Sequence, residues 1–360
     1  MYLRYQIIVY VKNKLSLHSF LTEFTFMRSL FTYLIVLSVL ISLQGCDGCS
    51  NDKPKTGQQE EYVSNAPVFN ADSAFNFIKA QCDFGPRTMN SEAHEKCGDY
   101  LVATFKQYGA NVYEQTADLK LYDGTPIKCR NIIAAFNEQA PRRIMICSHW
   151  DSRPWADHDE DEANHKTAID GANDGASGVA VLLELARQFS IKMPSVGVDL
   201  VCFDAEDCGT PEWARDDTDS EHTWCLGSQY WAGKHHIDGY VAEYGILLDM
   251  VGGPNSVFLK EGFSIRMAPA VTDKVWAAGQ RIGYGNYFVS DVSGYVTDDH
   301  VQVNQCGIPC TDVIASDKND NGFCSTWHTT ADNIKNIDQG VLKAVGQTMM
   351  EVIYVTEGQQ

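Results

Sequence analysis

Apolar residues along the chain switch between helical spacing and short continuous runs, and the switches predict alternating helices and strands. Ala71 to Cys82 and Ser91 to Tyr108 carry helical periodicity, the second with Tyr100, Leu101, Ala103 and Phe105 near one side. Asn131 to Phe136 and Arg143 to Cys147 are short apolar runs that fit two adjacent strands. From Ser177 to Ile191, Val179, Val181, Leu182, Leu185, Ala186 and Phe189 recur at helical spacing, and Pro194 lies beyond the end. Val196 to Phe203 and Tyr244 to Met250 read as continuous buried strands, and Pro309 to Ala315 as a further one. Ala268 to Ile282 and Ile337 to Thr356 read as helices, the last closing the domain. Strands separated by helices of this length imply a three-layer α/β/α fold around a mixed, mostly parallel twisted sheet.

The first segment obeys a different rule. Met27-Arg28 is a short basic start, Leu30 to Leu43 an apolar stretch, and Leu43-Gln44-Gly45-Cys46 a small-residue ending. That ending resembles the lipobox of bacterial lipoproteins, which implies lipidation of Cys46 and export, with the domain on a membrane facing the periplasm or cell surface. The alternative, a single transmembrane anchor, is disfavoured because the run is short for a bilayer core. Residues 1–45 are therefore read as a signal segment, with 1–26 as an upstream extension from a misassigned start. The polar stretch 46–59 is read as a flexible tether, and 60–360 as one catalytic domain.

Composition narrows the partners. Residues 1–45 hold four basic side chains and one acidic, so the remaining chain carries −22 against −19 for all 360 residues. A surface this acidic argues against nucleic acid. The runs Asp157 to Glu162 and Asp216 to Glu221 are expected to be solvated loops, with calcium binding as the lesser alternative. Twelve cysteines are many for a cytosolic enzyme, and an exported chain is expected to pair some of them.

The chemistry sits at the seams of the pattern. His149, Asp174, Glu206-Asp207 and Asp249 each lie at or soon after the end of an apolar segment, and strand ends of an open α/β sheet converge on one crevice. His149 and Asp151 are two apart in extended chain and address one side. Asp174 stands in Gly171-Ala172-Asn173-Asp174-Gly175-Ala176-Ser177-Gly178 before the strongest helix, where simple helix capping is the alternative. Glu206 and Asp207 would repel unless a counter-charge intervenes; a divalent cation lets one ligate while the other moves protons. A solvated turn is the bland alternative. Asp249 ends an apolar run and needs a hydrogen-bond partner or a metal. Asp298-Asp299-His300 and Trp327-His328-Thr329 add late acids, an imidazole and a large aromatic. Nitrogen and oxygen donors without a cysteine cluster suit a catalytic zinc.

The order His-x-Asp, Asn-Asp-Gly-x-Ser-Gly, paired acids, Leu-Asp-Met and His-Thr resembles the zinc aminopeptidase superfamily with its exopeptidase-like fold. Within it, His149 to Arg153, Asp298-Asp299-His300 and Trp327-His328-Thr329 are more similar to the glutaminyl-peptide cyclotransferases, from about Ala71 to the C-terminus. The resemblance implies one zinc held by Asp174, Asp207 and His328, and Glu206 as general acid and base. It also implies Asp249 and Asp298 as partners of the reacting nitrogens, Trp327 as a wall of the substrate pocket, and a monomer acting on peptides with N-terminal Gln. One departure is visible: Asp207 stands where animal cyclases and many aminopeptidases carry Glu. Two alternatives stay open. A two-zinc aminopeptidase would recruit His149 and Asp249 for a second metal, with Asp151 as support. An inactive binding lipoprotein would use neither activity.

Overall fold

The computed structural model describes residues 62–215, 221–317 and 322–357. The signal segment, Cys46, the tether and the acidic run at 216–220 lie outside the described residues.

The sheet is built by period-two burial. Eight strands stand in the order β1-β2-β4-β3-β5-β8-β6-β7. They are β1 (Asn111–Lys120), β2 (Pro126–Phe136), β3 (Arg143–His149), β4 (Gly197–Phe203), β5 (Gly245–Asp249), β6 (Ser256–Lys260), β7 (Phe288–Val292) and β8 (Cys310–Asp317). The four central strands, β4, β3, β5 and β8, are parallel, and antiparallel β1 and β2 extend one side. β6 pairs antiparallel with β8 and parallel with β7, so the sheet is mixed.

Alternate residues of the central strands feed two cores. Ile144, Ile146, Val198, Leu200, Ile246 and Leu248 face one way, against α1 (Ala71–Cys82), α2 (Glu92–Gln107), α3 (Ala176–Ile191), α6 (Pro269–Arg281) and α8 (Gln339–Glu351). Met145, Cys147, Val201, Phe203 and Leu247 face the other way, toward Trp231 on α4 (Leu226–Gly233) and Val303 on α7 (Asp299–Gln305). A short α5 (Gly262–Met267) precedes α6. Full burial of a side chain such as Leu200 or Ile246 stabilises by about 1.5–3 kcal/mol, and both are fully buried.

Boundaries hold where periodicity is strong. The predicted helix at 71–82 is α1, and Ser177 to Ile191 is α3 with one extra residue. β1, the first half of β2, β6 and β7 escaped the pattern. β1 is an edge strand with half-exposed and exposed residues alternating, so it has little apolar signature. The expectation of disulfides is overturned among the described residues: all ten cysteines there are free and scattered through the core. Cys97, Cys147, Cys202 and Cys310 act as small buried apolar side chains.

Candidate active site

β3 lies between β4 and β5, so the chain leaves it to one side and returns to the other. Such a reversal opens a crevice at the carboxyl ends of the strands. His149 is the last residue of β3, Asp249 is the last of β5, and Asp204 to Asp207 follow β4.

Asp174 lies just before the helix, where its motif placed it. It comes from the turn into α3 and not from a strand end, and it does not cap the helix. Gly175 occupies the N-cap without a side-chain bond, which leaves the Asp174 carboxylate for the crevice. Asp332 takes the strain of the turn by accepting from the Asn173 and Asp174 amides at 2.7 and 3.0 Å. Gly175 has φ +89°, and a Cβ there would stand 2.7 Å from the Asp151 carbonyl oxygen. Only glycine meets both conditions cheaply.

The paired acids are clamped in the same manner. Ala205 turns through the left-handed region (φ 55°), and Asp151 then accepts from the Glu206 and Asp207 amides, each at 3.1 Å. Asp151 thus holds backbone, with His149 Nδ1 3.5 Å away. Arg153 donates to the Asp207 carbonyl oxygen at 3.1 Å and is paired with Asp157 at 2.5 Å, all of it buried. Asp157 corrects the reading of its run as solvated: only the positions after it turn outward, while Arg153 pulls this carboxylate inside. Asp159, also in that run, accepts from the Thr330 amide at 2.9 Å and ties the loop to the His328 segment.

These clamps bring three donors together. His328 Nε2 lies 3.1 Å from Asp207 Oδ1 and 3.7 Å from Asp174 Oδ2. One ligand atom each from Asp174, Asp207 and His328 falls within 4.8 Å of the others, all buried. Asp207 Oδ2 has no hydrogen-bond partner and is inaccessible, a state a buried carboxylate does not tolerate without a cation or proton. Burial, reinforced by the charge of Arg153, holds the His328 imidazole well below its usual pKa, hence neutral with a free lone pair. Stacking on Trp327 at 3.9 Å orients the ring. The residues therefore fit a zinc ion.

A second set meets beside it. His149 Nε2 lies 3.0 Å from Asp174 Oδ1 and 3.2 Å from Asp249 Oδ1, a group that could also hold a metal. Burial would lower the His149 pKa, but Asp151, Asp174 and Asp249 outweigh it and hold it well above the usual value.

Beyond the donors lies a cavity of about 320 Å³ lined by Asp174, Glu206, Asp207, Asp249, Asp298, Trp327 and His328 among others. Burial raises the Glu206 pKa well above normal, with Asp298 and Asp207 adding repulsion. Burial and then the Asp249 charge push Asp298 to about 7. Asp298 caps α7, accepting from the Asp299 amide at 2.5 Å, and leaves Oδ2 unpartnered.

Of the candidates among the described residues, Asp174, Glu206, Asp207, Asp249, Asp298, Trp327 and His328 line the cavity, whereas His149 and Asp151 lie buried behind it, His149 against Asp174 and Asp249 and Asp151 against the Glu206 and Asp207 amides. Sequence reading missed Asp157, Asp332, Trp224 and Cys225. Trp224 stacks parallel to His328 at 6.0 Å, and the Cys225 thiol donates to Glu206 Oε1 at 3.3 Å. Trp224 and Asp332 meet partners far along the chain, which no local signal marks, whereas Asp157 pairs with Arg153 four residues before it, a spacing the sequence did offer.

The model of peptidase family M28 matches residues 131–353. A solved glutaminyl cyclase of Bacteroides thetaiotaomicron, bound to N-acetylhistamine, is 51% identical over 81% of this chain and 99% of its own, with TM-score 0.79. A solved leucine aminopeptidase precursor from the same organism is also 51% identical, over 81% and 99%, with TM-score 0.78. The glutaminyl-peptide cyclotransferase of Drosophila melanogaster is 25% identical over 282 residues, 70% of this chain and 72% of its own. The chain spans 65–72% of the length of such curated cyclotransferases. With its donor residues gathered in this crevice and the family match spanning residues 131–353 of the 360, the chain belongs to peptidase family M28.

Proposed function

We propose that the chain is a zinc-dependent glutaminyl-peptide cyclotransferase, converting an N-terminal Gln to pyroglutamate with release of ammonia. The carrying observation is the pocket itself: a buried triad of Asp174, Asp207 and His328 beside Glu206, Asp249 and Asp298, three acids that face one small cavity. The likeness to glutaminyl cyclases supports it.

In this reading Asp174, Asp207 and His328 hold one zinc. When bound, zinc polarises the γ-carboxamide oxygen. The remaining work falls to protein side chains. The α-amine, with a pKa of about 7.7–8.0, is partly neutral near pH 7 and attacks the γ-carbon. Asp249 and Asp298 accept hydrogen bonds from the reacting and departing nitrogens. Glu206 takes a proton from the attacking amine and returns it to the leaving nitrogen, so the γ C–N bond breaks as ammonia departs. A carboxyl whose pKa burial has raised suits both transfers. Amine and carboxamide belong to one residue, and Trp327 walls the pocket so that orientation lowers the barrier.

A two-zinc aminopeptidase is the second reading, favoured by the His149, Asp174 and Asp249 group. Lipidation at Cys46 and export to a membrane surface, which the signal-like segment supports, and a monomeric state complete the proposal.

Metal-loaded protein incubated with a Gln-initiated peptide should yield pyroglutamyl peptide and one ammonia per turnover. Release of free amino acids in its place, with two tightly bound zincs per chain, would establish the peptidase. Glu206→Gln should keep its zinc and lose about 10²–10⁴-fold in turnover; undiminished turnover assigns the proton transfer elsewhere.

A further inference from the structure

Glu206 and Asp298 of the cavity form a donor set with a third residue, Cys225, to which the cyclase reading gives no role. Cys225 is fully buried and adopts the left-handed conformation (φ 56°) just before α4. Its amide donates to the Glu206 carbonyl oxygen at 3.0 Å, and the Leu226 amide to that of Ala205 at 2.9 Å. This short backbone pairing presses the Cys225 side chain against the catalytic carboxyl, with Sγ 3.3 Å from Glu206 Oε1. Close by stands Asp298, 3% exposed, whose Oδ2 has no hydrogen-bond partner. One ligand atom each from Glu206, Cys225 and Asp298 lies within 4.8 Å of the others.

We propose that Glu206, Cys225 and Asp298 form a second cation site, selective for thiophilic divalent ions, whose occupation inhibits the enzyme. Three arguments converge. A cation about 2.3 Å from sulfur and about 2.1 Å from oxygen bridges donors at these separations with small side-chain shifts. The cluster pairs one sulfur with two carboxylate oxygens, and a thiolate favours soft ions such as Cd²⁺, or Zn²⁺ in excess, over Mg²⁺ or Ca²⁺. Two carboxylates facing each other in a buried floor gain from a cation between them. On binding, the Cys225 S–H bond breaks, the proton leaves to bulk water through the pocket mouth, and an Sγ–metal bond forms. Glu206 is then a ligand and no longer free to carry protons, so turnover stops while the zinc at Asp174, Asp207 and His328 stays in place.

Binding is read apart from turnover, so its failure is distinguishable from failure of the cyclase reading, on which only the inhibition rests. Zinc-loaded protein is titrated with Cd²⁺ and followed by thiolate-to-cadmium charge-transfer absorption. The expected result is a saturable band lost in Cys225→Ser but kept in Cys306→Ser, with turnover falling at least tenfold as the band grows. Crystals of the unaltered protein soaked in Cd²⁺ should show anomalous density between the three side chains, a measurement independent of how the variants fold. A band that survives Cys225→Ser, or cadmium found only in place of the zinc, would overturn the proposal.

Discussion

Hydrogen-bond partners decide the chemistry of each buried acid in the crevice more than residue type does. Asp151, Asp207 and Asp298 are chemically the same side chain, yet one holds two amides, one offers an unpartnered oxygen beside two other donors, and one caps a helix while facing the cavity. Arg153 makes this division workable. Its pairing with Asp157 is fully buried, and its other contact steadies Asp207. Arg153→Met leaves the Asp157 carboxylate buried without its partner and should cost about 3–5 kcal/mol in urea denaturation. Zinc affinity, read by competition with a chelator, should fall about 10–100-fold. Unchanged zinc affinity would mean that Asp207 is oriented by its amide contact with Asp151 alone. The shorter Asp207 is reconciled with its task by the Ala205 turn and the Asp151 clamp, which carry the backbone inward.

At the scale of elements, α3 is the post on which the site leans. It is buried along most of its length, and its first turn packs directly against β3 and β5. Gly178 makes that approach possible: a Cβ would stand 2.2 Å from Ser148 Oγ and 2.3 Å from the Leu248 carbonyl oxygen. The obstruction on the Leu248 side is backbone and cannot rotate away. Gly178→Ala should destabilise by about 1–3 kcal/mol, seen as a lower urea midpoint with an unchanged slope. It should also weaken zinc binding, because moving α3 outward carries Asp174 with it. The helix itself was legible in the sequence from its apolar spacing. Its distance from the sheet was not, since that depends on what Gly178 meets in β3 and β5.

For the whole molecule, many buried carboxylates share one crevice, and their protonation couples to stability. Burial raises Asp298 to about 7, and burial with the Asp174 charge raises Asp332 to about 7. Both sit above the unfolded value of about 3.9. An acid with a raised folded-state pKa stabilises the fold below the unfolded pKa, and that stability is lost as pH rises through the folded one. The metal-free protein should therefore lose stability steadily between about pH 4 and pH 7. Saturating zinc should offset part of the loss by binding only the folded state. Thermal denaturation across this range, with and without zinc, checks both. A metal-free protein that grew more stable toward pH 7 would show that other groups dominate.

The sequence by itself determined where most central strands and long helices lie and which donors stand at the crevice. Both are local matters: side-chain periods of two and 3.6, and His149 and Asp249 sit where strands stop. It also carried the family resemblance through short motifs in their order along the chain. The tertiary structure alone decided what each acid can do. Asp332 reaches the Asn173 amide from 159 residues away, and Trp224 stacks on His328 from a distant loop. Cys225 meets Glu206 only because a left-handed turn folds one loop onto another. Partners and dielectric set the charge of a buried group, and both are supplied by contacts that no local pattern records.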